Sequence, residues 1–310
     1  MECDLFWIAK IYRIYGIRLK KQAALRTTLH INRAFWAKIY HRKQGVATVN
    51  RRRTSHLAKS VIRTNGLIIK EQKVSENDRL VTVLTAELGV IRAFSKNSLK
   101  STSKSLSSTA FLSYSRLYIY KGRDTYKIGD AAPLKIFWDL RQDFSKLSLA
   151  SYFCEVVSRL APKDENAEEY LRLILNCFHL LSLKEEPVPK ALIKAIFELR
   201  CCLYSGYMPD IYVCRGCNEE LVGNAWFDIL NGVFYCDKCR EKFGKVKLDF
   251  VPNSVLCAMK YILTNPLNKC FGFKINEKSA QILGNICEKF LIVQSDHTFD
   301  TLQFYKTYKI

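Results

Sequence analysis

Acidic residues are what this chain has least of where it begins. None lies between Asp4 and Glu71. Residues 1–60 hold fourteen Lys and Arg against Glu2 and Asp4, a net of +12, and the whole 310-residue chain carries +20. A protein so basic seeks a polyanion, and nucleic acid is the first candidate. Long hydrophobic runs are also missing. No stretch reaches the roughly eighteen apolar residues of a membrane-spanning helix, so no membrane partner is expected. Twelve cysteines in a chain of this length are too sparse for a disulfide scaffold, and buried free thiols in a reducing cytosol are the ordinary reading. The vicinal Cys201-Cys202 would sit on different sides of a helix, which argues against a redox switch. A catalytic constellation is absent too. Met1 is followed by Glu2-Cys3, with no nucleophilic terminal amine or Lys–Asp arrangement of a zinc-finger DNA glycosylase, and no enzyme is expected.

What is present divides by composition. Residues 1–60 include Arg51-Arg52-Arg53 and three of the five histidines, with no sustained apolar period. They fit a nucleic-acid-binding arm, a transit peptide, or an upstream start. The abrupt change favours the last, with the native chain beginning near Val61. From there β-branched runs recur: 66–70, Arg79–Thr85, 89–94, 111–120 and a fifth from Thr125. Five short antiparallel strands over 61–137 suit a small closed barrel, of which the OB-fold is the obvious member. After Asp139 the apolar period turns helical, with Phe144, Leu147, Ala150, Cys154, Val157 and Leu160 on one face and Pro162 as a stop. Further helices are predicted over 168–183, from Pro187 and Pro189 to Arg200, over 254–263 and over 278–293. His179 falls among apolar residues and reads as a packed side chain rather than a base. The domains predicted are a basic leader (1–60), an OB-fold domain (61–137), a helical domain (138–210), a zinc ribbon (211–245) and the helical domain resumed (246–310). The fold class is α+β multidomain: an N-terminal OB-fold β-barrel and a C-terminal helical domain with a four-cysteine zinc ribbon insertion.

Two features carry chemistry. Cys214-Arg-Gly-Cys217 and Cys236-Asp-Lys-Cys239 are two knuckles separated by eighteen residues, the spacing of a tetrahedral thiolate site. The intervening segment can form a hairpin, with Asn231-Gly232 as its turn, and it contains no His. A closed shell of four thiolates predicts one structural Zn2+ per chain rather than a Lewis acid. The second feature is basic. Arg79, Arg92, Lys96, Lys100, Lys104, Arg116, Lys121, Arg123 and Lys127 fall on the predicted strands and loops, interleaved with Tyr114, Tyr118, Tyr120 and Tyr126. Cations neutralise phosphates and tyrosine faces accept bases, so these are candidate DNA contacts, with the 95–108 Ser/Lys loop expected to be flexible. The alternative stays open that the charges only solvate the outer face while the tyrosines fill the core.

In this order the chain resembles the bacterial RecO family of recombination mediators, over roughly Val61 to the C-terminus. The resemblance rests on the 76–85 run with Gly89 following, on Tyr118-Ile-Tyr-Lys-Gly122 and on 146–152 leading into Glu155. It continues through Phe197-Glu-Leu-Arg200, Gly206-Tyr-Met-Pro209, Phe227 and the 231–236 approach to the second CxxC. Relatives often carry Lys-Gly and an Arg-rich loop where this chain has Lys96-Asn97 and a Lys/Ser loop, and the leader has no counterpart. The resemblance implies a non-enzymatic protein that binds single- and double-stranded DNA. Such a protein would anneal strands, engage RecR and help load RecA onto strands coated with single-strand-binding protein (SSB). It implies a cytoplasmic, nucleoid-associated protein whose helical region receives the acidic SSB tail in an apolar pocket rimmed by cations. Arg159, Arg172, Lys190, Lys194 and Arg200 are the candidates for that rim. A zinc-ribbon protein that only bridges protein partners is the rival class.

Overall fold

The structure is a computed structural model, and it describes residues 61–122, 125–243 and 247–307. The leader, its proposed arm, transit or start-site readings, and Arg123 lie outside those residues.

Five strands come first: β1 (Val61–Lys73), β2 (Arg79–Thr85), β3 (Val90–Ser95), β4 (Ser113–Lys121) and β5 (Tyr126–Ile136). β1 begins five residues before the apolar run that announces it, because Arg63, Thr64 and Asn65 extend the ladder against β4. β5 runs past Gly129 and Pro133, residue types that weaken or interrupt a strand. A register shift near each absorbs them, between Tyr118 and Ile119 and between Tyr114 and Ser115 of β4. The pairing order β1-β2-β3-β5-β4 returns to β1, so every strand has two neighbours. The expectation of wholly antiparallel strands fails at one place, where β3 and β5 run parallel, Ala93 opposite Tyr126. An odd ring cannot alternate direction all the way round, so one neighbouring pair must point the same way. Ile68, Val81, Val83, Ile91, Leu117 and Ile119 fill its interior.

The 96–112 connection is compact rather than the flexible loop its composition suggested. Ser108 donates to the Ala131 carbonyl, and from β4 Ser115 donates to the Ser108 carbonyl and Ser113 to that of Ser107. Buried hydroxyls bonded to backbone carbonyls tie the segment to the strands. Lys96, Lys100 and Lys104 remain exposed.

Helices α1 (Trp138–Gln142), α2 (Phe144–Leu160), α3 (Glu168–Ser182) and α4 (Lys190–Tyr204) follow. Asp143 caps α2 by accepting from the Lys146 N–H at 2.9 Å. Pro162 stops α2, and Gly206 at φ +84° closes α4, both as their residue types predict. The short α5 (Asp237–Arg240) lies within the four-cysteine segment, and after it come α6 (Asn253–Thr264), α7 (Glu277–Ser295) and an unpredicted α8 (Asp300–Thr307). The α8 N-terminus is held by Glu155 of α2, which accepts from both the Thr301 N–H and its hydroxyl. α4 is buried continuously from Leu192 to Cys202, so it is the central helix. Among the described residues no helix is long and apolar enough to cross a membrane.

Sheet and helices are stitched by backbone. Gly89, at φ +62°, turns the β2–β3 hairpin against the α2–α3 connection. There Val90 N–H donates to Pro162 at 2.9 Å, Asp164 to Leu88 at 3.1 Å and Ala167 to Ala86 at 2.8 Å. A Cβ on Gly89 would stand 2.1 Å from the Pro162 oxygen, so only glycine permits this approach.

Candidate metal centre and nucleic-acid interface

The four knuckle cysteines converge as their spacing requires. The sulfurs of Cys214, Cys217, Cys236 and Cys239 lie within 4.8 Å of one another, and those of Cys217 and Cys236 are 3.9 Å apart. A tetrahedral ion with thiolate bonds of about 2.3 Å has sulfur–sulfur edges of about 3.8 Å, so the donor set fits one such ion. β6 (Ala225–Asp228) and β7 (Val233–Tyr235) form the connecting hairpin, turned at Gly232 with φ +67°. β8 (Asp249–Val251), beyond the expected ribbon boundary, adds a third strand beside β6. Burial pushes the Cys214 thiol up. Backbone N–H groups of Cys236, Cys217 and Gly216 aimed at its sulfur outweigh that and bring it down to about 6, a ready thiolate. Phe227 stacks on Phe234 at 4.1 Å and meets Phe290 of α7 at 5.3 Å, seating the hairpin on the helical domain. Cys201 and Cys202 are fully buried, and burial pushes both thiols up, the opposite of the exposed thiolate that a reactive cysteine needs.

The basic candidates separate into three groups. Arg92, Lys96, Lys100, Lys104, Lys121 and Lys127 are exposed on the strands and the tethered loop. Among the described residues none of these six pairs with a carboxylate. Arg116 is half-buried on β4, with its Nε buried and unbonded. Arg79 is 4% exposed and binds Glu71 at 3.0 Å, so it faces inward rather than toward a ligand. Of the tyrosines, Tyr114 and Tyr126 are buried, whereas Tyr118 and Tyr120 are half-buried on the outer side of β4.

The five expected partner-contact residues do not converge. Arg159 and Arg172 are exposed on α2 and α3, and Lys190 is half-buried at the start of α4, 3.7 Å from Glu186. Lys194 and Arg200 are only 6% and 5% exposed, too deep to rim a surface pocket. Lys194 binds Glu198 at 2.7 Å and Glu288 of α7 at 2.8 Å, while Tyr152 donates to Glu198 at 2.7 Å. Arg200 donates to the Asn265 carbonyl. Their side chains hold helices together. α4 is buried on all sides here, whereas charge alone had suggested surface. Of the five, Arg159 borders two cavities, one of about 610 Å³ beside Tyr170 and Tyr204 and one of about 630 Å³ beside Ile69 and Phe111.

Sequence comparison agrees in extent with the two halves of the fold. The family models described as recombination protein O N terminal and C terminal match residues 59–137 and 141–302. A protein named DNA repair protein RecO from Acetivibrio thermocellus is 27% identical over 247 residues, covering 79% of this chain and 96% of that protein. Its namesake in Alkaliphilus metalliredigens is 26% identical over 250 residues, covering 79% and 99%. The one from Caldicellulosiruptor bescii is 29% identical over 182 residues, covering 59% and 73%.

Proposed function

The chain belongs to the recombination protein O family, and from that premise we propose that it is a DNA-binding mediator of recombinational repair with no catalytic turnover. The observation that carries this reading is the set of exposed, unpaired cations at Arg92, Lys96, Lys100 and Lys104 on a rigid sheet and its tethered loop. Such charges take backbone phosphates of single or double strands alike. Two strands held on one cationic surface repel each other less, which favours annealing. The ring order, with one parallel pair between β3 and β5, supports reading the sheet as an OB-fold barrel.

In this reading Cys214, Cys217, Cys236 and Cys239 hold Zn2+, whose closed thiolate shell ties the hairpin and supplies no open coordination position. The ion is structural, because the hairpin it clasps packs on α7 through Phe227. RecR, the SSB tail and, indirectly, RecA are the partners, and the protein works in the cytoplasm at the nucleoid. Arg159, with a cavity on either side, is the cation best placed to meet an acidic tail.

The test is a salt titration of binding to an unstructured oligonucleotide. Affinity should fall steeply with salt, by about 0.7 in log–log slope for each phosphate contacted. The variant Arg92→Glu/Lys96→Glu/Lys100→Glu/Lys104→Glu should bind more weakly and melt at nearly the wild-type temperature. Absence of binding by the wild type at about 50 mM salt would leave only the protein-bridging role.

A further inference from the structure

Of the eleven cysteines among the described residues, eight are buried, Cys236 is half-buried, and only Cys217 and Cys257 are exposed. Burial keeps solutes from the eight. Cys257 stands on α6 with its thiol directed to the Asn253 side-chain oxygen at 3.5 Å, and no second sulfur touches it. Cys217 differs, because the Cys236 sulfur lies 3.9 Å from its own. Among the described residues it is therefore the one exposed cysteine with another sulfur in reach.

The fold of the knuckles produces this asymmetry. In the first, the Cys214 N–H donates to the Glu219 carbonyl and the Arg215 N–H to the Phe234 carbonyl, both at 2.8 Å. Cys214 is thereby held against the hairpin, and its sulfur accepts from the Gly216 and Cys236 N–H groups at 3.3 and 3.2 Å. The chain then reverses at Asn218, with φ +61°, and leaves Cys217 on the outside. In the second knuckle Cys239 is buried on α5, while Cys236 stands just before that helix. The outer pair thus takes one sulfur from each knuckle. Metal binding requires both as thiolates, and an accessible thiolate beside a second one is what oxidants attack.

We propose that Cys217 and Cys236 are a peroxide-modification site, converted by hydrogen peroxide into a disulfide that dismantles the four-thiolate donor set. The Cys217 sulfur attacks one peroxide oxygen, the O–O bond breaks, hydroxide leaves and a sulfenic acid forms. The Cys236 thiolate then attacks that sulfur, the S–O bond breaks and a second hydroxide leaves. In all, two thiolates lose two electrons and one peroxide is reduced to two hydroxides. The sulfurs close from 3.9 Å to about 2.05 Å. Cys214 and Cys239 remain as two donors, short of the four that a closed site needs. The new bond spans the β6–β7 hairpin, so the ribbon keeps a covalent tie, and a thiol reductant reverses the change. This rests on the metal-centre reading and adds to it a way of emptying the site.

The experiment measures the zinc content of the full chain, adds hydrogen peroxide, and follows zinc released to a chromogenic chelator. Disulfides are mapped in parallel by mass spectrometry after alkylation of the remaining thiols. About one zinc should leave for each Cys217–Cys236 disulfide formed, and thiol reductant with added zinc should restore the site. Cys257→Ser, which removes the other exposed thiol, should release zinc at the wild-type rate. A disulfide within one knuckle, or between Cys214 and Cys239, would overturn the assignment. Oxidation of Cys257 that leaves Cys217 and Cys236 reduced would do the same. A chain holding no zinc before peroxide would overturn the metal-centre reading instead, and the mapping would still decide the pair.

Discussion

Replacing Lys194 by Met leaves two carboxylates in the helical core without their shared cation. Lys194 is 6% exposed, Glu198 has no exposure, and the two ion-pair distances are 2.7 and 2.8 Å. Burial pushes the Lys194 ammonium down, but Glu198 and Glu288 together reverse that and hold it charged. Met preserves most of the buried methylene stem, so the cavity contribution is small. What remains is an uncompensated buried charge, which costs about 3–5 kcal/mol. The lower end applies, because burial already raises the Glu198 carboxyl and lets it relieve the strain by taking a proton. With a urea m-value of about 3 kcal/mol per molar, a loss of about 3 kcal/mol lowers the midpoint by about 1 M. Lys190→Met is the internal control on the same helix. Its pair with Glu186 is half-open to solvent at 3.7 Å and contributes less than about 1 kcal/mol, or about 0.3 M. Equilibrium urea unfolding, followed by far-UV circular dichroism, reads both. Equal midpoints for the two variants would refute the argument that burial of the Lys194 network, rather than charge as such, sets the cost.

Three other outcomes are expected. Serine at Cys214 and Cys239 should abolish stoichiometric metal and lower the melting temperature, checked by elemental analysis and calorimetry; one ion per chain in both variants would remove the metal centre. Gly89→Ala forces a left-handed backbone and a backbone clash onto a residue with a side chain, and should cost about 1–3 kcal/mol or more, a melting shift of several degrees. Burial pushes the Glu288 carboxyl up, but Lys194 and Lys306 pull it below its ordinary value of 4.5. Its contribution is therefore present above that value and lost as pH falls through the lower folded value, so Glu288→Gln should flatten the acid limb of stability measured by urea unfolding below about pH 4.5.

Local order decides some of these features and long-range packing the rest. The four cysteines are legible because CxxC spacing dictates that each knuckle presents two sulfurs to one point, and the turn at Asn231-Gly232 brings the knuckles together. Pro162 and Gly206 end their helices for reasons contained in the residues themselves. The strands announce themselves through β-branched runs, although polar Arg63–Asn65 and the breakers Gly129 and Pro133 hide how far β1 and β5 extend.

Which like residues face solvent was decided elsewhere. Lys190 and Lys194 share a helix and a charge, yet only α7, nearly a hundred residues later, supplies the Glu288 that draws Lys194 inside. Arg79 and Arg92 lie on paired strands, but Glu71 across the ladder claims the first. Tyr114 shares the outward phase of Tyr118 and Tyr120 and is still buried, so alternation alone does not decide exposure. By itself the sequence determined the four-cysteine knuckles, the types of most elements and a strongly basic chain. Tertiary structure alone decided which cations and rings remain to meet a ligand, because burial and pairing are properties of neighbours distant along the chain.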